Sequence, residues 1–469
     1  MFHYKIISKW VMTLVGVSFF LMASAQNATD RLYSATIAFE KDDAMQNAIY
    51  SLYVVEDKTG KVVFDKNSYY GLAPASCQKI ITCATAFEIL GSSYTYTTTI
   101  EYNGTIKDSI LIGNLYIKGS GDPSFGSDRY KTTTADTIFK KIKDALQQKG
   151  IKTIQGNIII DDGYFGAQTI PGGWIWQDVG NYYGASIWGL NWRENQYDIK
   201  LKTSGKVGDK VEIDSILLPA FNISLASELT VGKEGSGDNA YIYFLPNSSM
   251  GSIRGTIPPH KKTFTIHGSA PCPGNVFLSD SKNYHLQSDR IYLEIWGSFS
   301  DEPKNTLLKI KSPPLDSLAY WFMQKSLNLY GEALLKTIGV QQIQKSNTES
   351  AAEWMQQFWN KKLGIPNSAI QIVDGSGLSP QNRVTTKALV TILQYAKNQP
   401  WFNSFYNALP LINGIKMKSG TIYHAKAYSG YIASKNGNSY TFSFIINNFN
   451  GKSSYIMERM FKVLDVLKN

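Results

Sequence analysis

Cysteine is scarce in this sequence: Cys77, Cys83 and Cys272 are the three in a chain of 469 residues. Cys77 and Cys83 lie on one predicted helix and point away from each other, and Cys272 stands between two prolines. Two thiols on different faces of one helix cannot take up disulfide geometry. The sequence therefore predicts no disulfide framework.

Histidine is also rare, and the five residues are scattered along the chain: His3, His260, His267, His285 and His424. Their positions do not have the spacing of metal ligands. The sequence thus supports neither a zinc peptidase nor a Ser-His-Asp hydrolase, and we expect no metal and no cofactor.

The sequence has no low-complexity tract, no internal repeat and no basic run with interleaved aromatic residues. The last absence argues against nucleic acid as a partner. The formal net charge of +10 is spread along the chain and would suit an anionic, carboxylate-bearing polymer. With 43% hydrophobic residues the chain can bury more than one core, so we expect at least two domains.

An apolar run lies at the start of the chain. Lys5 and Lys9 flank its beginning, the run extends from Val11 to Met22, and Ala23-Ser24-Ala25 forms a small-residue cleavage site. It is shorter than the ~20 residues that span a bilayer, and no cysteine follows the cleavage site to accept lipid. Residues 1–25 are therefore predicted to be a signal peptide, and the mature protein to be periplasmic or secreted without a stable membrane anchor.

The most informative segment is Ala73–Lys79, in which a serine and a lysine stand three residues apart before an apolar helical run that ends at Gly91. Three residues turn a helix by about 300°, so Ser76 and Lys79 project from nearly the same face. A neutral amine can then take the proton of the hydroxyl, and the helix dipole favours developing negative charge in the first turn. The alternative is an N-capping serine with a solvated lysine.

Two later segments favour the catalytic interpretation. Ser326-Leu327-Asn328 gives S-x-N within a largely apolar stretch predicted to be helical through Leu335, and Lys418-Ser419-Gly420 gives K-S-G before strand-like sequence. S-x-x-K, S-x-N and K-[ST]-G in this order are the signature set of penicillin-binding serine enzymes.

Other copies of these triplets are interpreted as structural. Ser279 and Lys282 repeat the S-x-x-K spacing in a polar stretch predicted to be a surface loop, and Lys58-Thr59-Gly60 precedes Ser76 as a predicted hairpin turn. Cys77 is a weaker candidate nucleophile, because no histidine pattern accompanies it.

On these residues the chain resembles the class C, low-molecular-mass penicillin-binding proteins, the D-alanyl-D-alanine carboxypeptidase/endopeptidase family of peptidase S13. The resemblance extends to Gly119–Phe125, to Trp174–Asp178 with Tyr182–Ala185, and to Asp374–Ser379 with Asn382. Ser419 departs from the more usual threonine but keeps the hydroxyl. The resemblance implies peptidoglycan stem peptides as substrate, an acyl-enzyme, and β-lactams as covalent inhibitors.

Roles can be assigned to the residues of the three motifs. Ser76 would attack the carbonyl of a D-Ala–D-Ala bond, Lys79 would be the base, and Ser326 would relay the proton to the leaving amine. The remaining groups would bind the substrate: Asn328 on its peptide, Lys418, Ser419, Gly420 and Thr421 around its terminal carboxylate, and the backbone N–H groups of Ser76 and Thr421 as the oxyanion hole. Burial would favour the neutral form of the Lys79 amine.

The spacing of the motifs predicts the domain organisation. About 250 residues separate Ser76 from Ser326, far more than a loop could hold, so an inserted domain is required. We expect an α+β fold of the penicillin-binding or serine β-lactamase type, with an antiparallel sheet flanked by helices. Residues 26–96 and 310–469 would form this discontinuous catalytic domain, and residues 97–309 a mainly β insertion that could contain a nested subdomain.

The predicted catalytic sheet has strands at Ser51–Val55, Val62–Phe64, Met417–Thr421, Ser429–Ala433 and Ser439–Ile446. The amphipathic helix from Tyr455 to Leu467 is expected to pack against it, a membrane surface being the alternative. The alternatives for function are a serine β-lactamase or esterase on the same fold, and a non-catalytic wall-binding relative.

Overall fold

The computed structural model describes residues 28–218, 223–284, 286, 288–294 and 304–469. The predicted signal peptide, residues 1–25, lies outside the described residues. Within the described ranges, no helix is long and apolar enough for a bilayer crossing.

The described strands, in chain order, are β1 (Ile49–Glu56), β2 (Val62–Lys66), β3 (Thr97–Tyr102), β4 (Thr105–Lys107), β5 (Ile110–Ile112), β6 (Leu115–Lys118), β7 (Thr153–Asp161), β8 (Gln196–Lys202), β9 (Glu212–Leu217), β10 (Ser224–Val231), β11 (Asn239–Tyr243), β12 (Met250–Ile257), β13 (Phe264–Ser269), β14 (Ser288–Glu294), β15 (Asn305–Lys311), β16 (Ile370–Gln371), β17 (Arg383–Val384), β18 (Leu411–Ile412), β19 (Ile415–Ile422), β20 (Ala425–Ala433) and β21 (Ser439–Asn447).

The described α-helices are α1 (28–40), α2 (Lys79–Leu90), α3 (Ala135–Gln148), α4 (Trp176–Val179), α5 (Pro273–Asn283), α6 (Leu315–Gln324), α7 (Asn328–Ile343), α8 (Thr348–Leu363), α9 (Thr386–Ala396), α10 (Phe402–Ala408) and α11 (Ser453–Asp465). A short 3₁₀ helix, Ala75–Gln78, immediately precedes α2.

The chain divides into two compact units. Among the described residues, the first comprises 28–81, 358–372 and 382–469, and the second comprises the described parts of 82–357 together with 373–381. This division differs from the predicted domain boundaries near residues 96 and 310, which stay a prediction.

The first unit contains an antiparallel sheet of six strands in the order β18-β19-β20-β21-β1-β2. Each strand predicted for the catalytic sheet lies within one of these elements, so this part of the fold prediction is confirmed. The predicted turn at Lys58–Gly60 is confirmed as well, because it joins β1 to β2 and Gly60 has a φ of +69°.

Both faces of this sheet are covered. Side chains alternate along a strand, so Leu52 and Ser51 of β1 point to opposite faces. Leu52 packs in a core with residues of α1 and α11, including Leu32 and Ile456. On the other face, the Ser51 hydroxyl lies 2.6 Å from the Thr386 hydroxyl of α9. The C-terminal helix therefore packs on the sheet, as the sequence predicted.

The second unit contains three further sheets. A seven-stranded sheet has the order β15-β3-β6-β7-β5-β4, with β14 also paired to β7, and two three-stranded sheets are β10-β12-β11 and β13-β8-β9. Strands predominate in the described residues between 97 and 309, which agrees with the mainly β insertion that the sequence predicted. The pairs of β7 with β5, β6 and β14 are parallel, which the sequence did not indicate.

One predicted loop is a helix. Ser279 and Lys282 lie in α5, whose N-terminus has Pro273 in its first turn. Phe277 of the same helix stacks on Phe139 of α3. The prediction failed because it weighed the polar residues after Leu278 and left out the buried apolar residues before them, which fix the helix.

Phe444 tests the packing of the first unit's sheet. It is fully buried on β21, between β20 and β1, and its ring contacts those of Phe39 and Tyr50. Phe444→Ala should lower the free energy of unfolding by about 3–5 kcal/mol, because a large cavity would remain. Tyr33→Ala, which truncates an aromatic side chain that is 63% exposed, is the control and should change it by less than about 0.5 kcal/mol. Denaturant titration measures both, and equal effects would contradict this packing.

Candidate active site

The serine and lysine of the first motif are in contact. Lys79 Nζ donates a hydrogen bond of 3.0 Å to Ser76 Oγ. The Lys79 side chain is fully buried, whereas Ser76 is half-buried. The lysine can therefore reach the hydroxyl, and the hydroxyl remains open to a reacting molecule.

Ser76 is placed by a tight turn. It lies in the 3₁₀ helix Ala75–Gln78, and α2 begins only at Lys79, so the serine precedes the first α-helical turn in which the sequence predicted it. Ala75 has a φ of +47°, in the left-handed region that costs a residue with a Cβ about 1–2 kcal/mol. Such strain persists where the surrounding structure holds it in place, and here it directly precedes the candidate nucleophile.

Strand β19 lies against the backbone of this turn. A Cβ atom added to Gly420 would lie 2.4 Å from Pro74 O and 3.0 Å from the backbone nitrogens of Ser76 and Cys77. Since a carbon atom cannot approach a backbone oxygen so closely, only glycine fits at this position of K-S-G. The structure thus brings Ser419 and Thr421, on either side of Gly420, close to the serine.

Lys418 is buried beside the same turn. Its side chain is 2% exposed, and its Nζ donates a 2.9 Å hydrogen bond to Ser419 O. The pKa of Lys418 is lowered to about 8, chiefly by burial; Cys77 acts in the opposite direction, and the neighbouring positive charge of Lys426 contributes to the lowering. The ammonium group is therefore charged at neutral pH and loses its proton in mildly alkaline solution.

Cys77 faces away from the reacting surface. Its side chain is fully buried, and its Sγ donates a hydrogen bond of 3.1 Å to Lys418 O. Burial raises the pKa of the thiol to about 12. Since the thiolate is the nucleophilic form, this geometry opposes the interpretation of Cys77 as nucleophile. The thiol instead links the turn to β19 through its hydrogen bond to Lys418 O.

The second motif is located in the second unit, at the junction of two helices. α6 ends at Gln324 and α7 begins at Asn328, and Ser326 between them has a φ of +56°. The sequence predicted one continuous helical stretch here, which is wrong. Ser326 takes the left-handed conformation that commonly follows the last residue of a helix, and this break exposes part of its side chain.

Asn328 is held at the start of α7. It is 9% exposed, and its Nδ2 donates a hydrogen bond of 2.7 Å to Tyr183 O. Tyr183 belongs to the aromatic segment that contributed to the family resemblance. The carboxamide is therefore fixed by one of its donors.

Glu332, near the second motif, is a buried acidic residue that the sequence analysis missed. It lies one helical turn after Asn328, is fully buried, and accepts hydrogen bonds from the backbone N–H groups of Gly375 and Ser376 at 2.9–3.1 Å. The signal was present in the sequence, because a lone acidic residue stands among apolar residues of α7. Glu332 anchors the loop 374–379 to the helix that carries Asn328.

The loop 374–379 is held from a second side by its own aspartate. Asp374 accepts hydrogen bonds from Trp174 Nε1 at 3.0 Å and from the backbone N–H groups of Gly377 and Ser379 at 2.8 and 2.7 Å. The carboxylate of Asp374 thus accepts hydrogen bonds from backbone N–H groups of its own loop and from the indole N–H of Trp174, which is a structural role.

The described part of the chain holds no group of three or more His, Cys, Asp or Glu side chains placed to bind a metal ion.

Comparison with known proteins places these motifs in a family context. The profile of the D-Ala-D-Ala carboxypeptidase 3 (S13) family matches residues 35–466. A D-alanyl-D-alanine carboxypeptidase of Actinomadura sp. (strain R39) is 23% identical, over 94% of this chain and 85% of that protein. The D-alanyl-D-alanine carboxypeptidase DacB of Haemophilus influenzae is 22% identical, over 83% of each chain.

A solved structure has the same fold. The crystal structure of penicillin binding protein 4 from Haemophilus influenzae superposes with a TM-score of 0.75 at 19% identity, over 90% of this chain and 97% of that one. The fold predicted from the sequence, α+β of the penicillin-binding type, is thereby confirmed.

A substitution at Gly420 tests how closely β19 must approach the turn Ala75–Gln78, which carries Ser76. Gly420→Ala should slow covalent labelling by a fluorescent penicillin by about 10²-fold, because the added methyl group must push the strand away from the turn, and a misplacement of about 1 Å has an effect of this size. Gly71→Ala is the matched control, since a Cβ there meets only Arg383 Cβ at 3.4 Å. Labelling of Gly420→Ala at the rate of the control would mean that β19 does not need to lie this close.

Proposed function

The chain belongs to the D-Ala-D-Ala carboxypeptidase 3 (S13) family, and we propose that Ser76 is the nucleophile with which it hydrolyses the D-Ala–D-Ala bond of peptidoglycan stem peptides. The observation that carries this proposal is the hydrogen bond of 3.0 Å from Lys79 Nζ to Ser76 Oγ. A hydroxyl becomes a useful nucleophile at neutral pH when a base in hydrogen-bond reach removes its proton. Lys79 is the group so placed.

The proposed reaction has two steps. In the first, neutral Lys79 takes the proton of Ser76, Oγ forms a bond to the carbonyl carbon of the penultimate D-alanine, and the terminal D-alanine leaves as an amine that has received a proton. In the second, water attacks the resulting ester and releases the shortened peptide, restoring the Ser76 hydroxyl. A β-lactam would form the same kind of ester and block the site.

The strand β19 supplies the groups for the substrate carboxylate and the oxyanion. β18 pairs only with Ile415 and Lys416, at the start of β19. In the described residues, no strand pairs with the same edge of β19 beyond Lys416. Lys418 with the hydroxyl groups of Ser419 and Thr421 would bind the terminal carboxylate. The backbone N–H groups of Ser76 and Thr421 would stabilise the oxyanion, by about 3–4 kcal/mol per donor in comparable sites.

Ser326 and Asn328 complete the proposed set of functional groups. The hydroxyl of Ser326 would pass the proton from the base to the leaving amine, and the carboxamide of Asn328 would hydrogen-bond the substrate's peptide. The serine can act as both donor and acceptor, as a relay requires.

The other functions considered from the sequence are less well supported. A serine β-lactamase or an esterase would use the same acylation step, but the family profile that matches is that of carboxypeptidases. A non-catalytic wall-binding relative would not need the contact of Lys79 with Ser76. Release of D-alanine from a stem pentapeptide, with mass spectrometry of digested muropeptides to detect cross-link cleavage, distinguishes these functions.

We also propose the domain organisation and the location of the protein. Residues 26–96 and 310–469 would form the catalytic domain, with residues 97–309 inserted. Residues 1–25 would direct export, which agrees with a substrate that lies outside the cytoplasmic membrane.

The identity of the nucleophile can be tested by mapping an adduct. Benzylpenicillin should label the protein at Ser76, and the adduct should be lost in Ser76→Ala because no other hydroxyl has a buried lysine at 3.0 Å as its partner in this turn. It should persist in Ser279→Ala and Cys77→Ala, which remove the two rivals. Peptide mass spectrometry locates the adduct, and labelling that survives Ser76→Ala would overturn the assignment.

The base can be tested separately. Lys79→Ala should lower the rate of acylation by about 10²–10⁴-fold, the usual effect of losing a general base. Lys58→Ala, in the turn after β1, removes an exposed lysine and should leave the rate unchanged. Stopped-flow measurement with a chromogenic β-lactam gives both rates, and near-normal acylation by Lys79→Ala at pH 7 would rule out this lysine.

A further inference from the structure

Lys426 is a lysine of the active-site hairpin that the mechanism above does not use. It lies on β20 directly opposite Thr421 of β19 in the register of the antiparallel pair. Its Nζ donates a hydrogen bond of 2.7 Å to Thr421 Oγ1. A second positive charge therefore stands beside the hydroxyl group at the end of the K-S-G-T sequence.

The contact determines where the Thr421 hydroxyl can donate. Because its oxygen accepts from an ammonium group, its single proton is directed to another acceptor, and a hydroxyl polarised by a cation is a stronger donor. Thr421 is exposed, so an approaching molecule can reach this proton. A carboxylate is the acceptor that fits an ammonium and a hydroxyl side by side.

The surroundings of Lys426 favour an anion. In the described residues no carboxylate forms an ion pair with it, and its neighbours are Thr421 and the ring of Tyr428, at 5.6 Å from Nζ. Burial lowers the pKa of Lys426, and its charge in turn contributes to the lowered pKa of Lys418. Two cations on adjacent strands thus repel each other until a negative charge is bound.

We propose that Lys426 is a specificity-determining residue, a second cation that recognises the terminal carboxylate of the substrate together with the Thr421 hydroxyl. The inference rests on the function proposed above and adds a residue to it. Lys426 does not take part in bond making. Its effect is to favour peptides that end in a free carboxylate over those in which this group is blocked.

The test compares two substrates in matched variants. Lys426→Met replaces the lysine with an uncharged, unbranched side chain that is only one atom shorter. It should lower kcat/KM about tenfold or more for an acylated peptide ending in D-Ala–D-Ala with a free carboxylate, chiefly through KM, because a charge-assisted hydrogen bond is lost. For the C-terminal amide of the same peptide the change should stay within about twofold.

Lys416→Met is the control. Lys416 is on β19, the strand that pairs with β20, and its Nζ donates a hydrogen bond to Leu409 O rather than to Thr421. This variant removes one positive charge from the neighbouring strand and should leave the ratio of the two substrates unchanged. Lys426→Arg should retain most of the preference for the free carboxylate.

A double-mutant cycle tests whether Lys426 and Thr421 act on the same group. The effects of Lys426→Met and Thr421→Val on the free-carboxylate substrate should be less than additive when combined. Equal losses on the acid and the amide, or no loss on either, would overturn the proposal and leave Lys426 as a cross-strand contact. Far-UV circular dichroism and thermal unfolding of each variant, compared with the wild type, verify that it is folded.

The same experiment separates the two proposals. A wild-type protein that releases neither D-alanine from the free-carboxylate peptide nor D-alanine amide from the amidated one would contradict the proposed function. A wild-type protein that is active, combined with an unchanged substrate ratio in Lys426→Met, would contradict only the inference about Lys426.

Discussion

The close approach of β19 to the turn that carries Ser76 is the constraint on which the candidate site depends. The position of Gly420 leaves no space for a methyl group between strand and turn. Cys77 reinforces the approach from the buried side, where its thiol bonds to Lys418 O. The serine, its lysine and the K-S-G strand thus form one rigid arrangement, held by backbone contacts that vary little with side-chain motion.

The sheet supplies the rigidity that this contact needs. β19 is near one edge, but β20, β21 and β1 next to it are packed on both faces, by α1 and α11 on one and by α9 on the other. Interiors so densely packed transmit displacement, so a change in the core would reach the reacting groups. Within the described ranges no strand pairs with β19 beyond its short pairing with β18, and an extended peptide can bind along such an edge.

The sequence predicted the parts of the structure that local patterns specify. The strands of the first unit are runs rich in apolar and β-branched residues bounded by turn residues, and the triplets around Ser76, Ser326 and Lys418 have fixed spacing. Contacts between distant segments were not predictable, since no local pattern records that Glu332 accepts from Gly375 or that Cys77 donates to Lys418 O. The break at Ser326 was missed because apolar residues continue across it and neither glycine nor proline marks it.

The three cysteines have a consequence for folding. All are free and buried in the folded protein. Cys77 belongs to the turn Ala75–Gln78, and its thiol bonds to Lys418 O of β19. In an oxidising compartment, where the proposed signal peptide would direct the chain, an unfolded thiol is open to oxidation or mixed-disulfide formation. A modified Cys77 would be too large for its buried position, so oxidation of this sulfur before β19 docks would keep the strand from closing on the turn that carries Ser76.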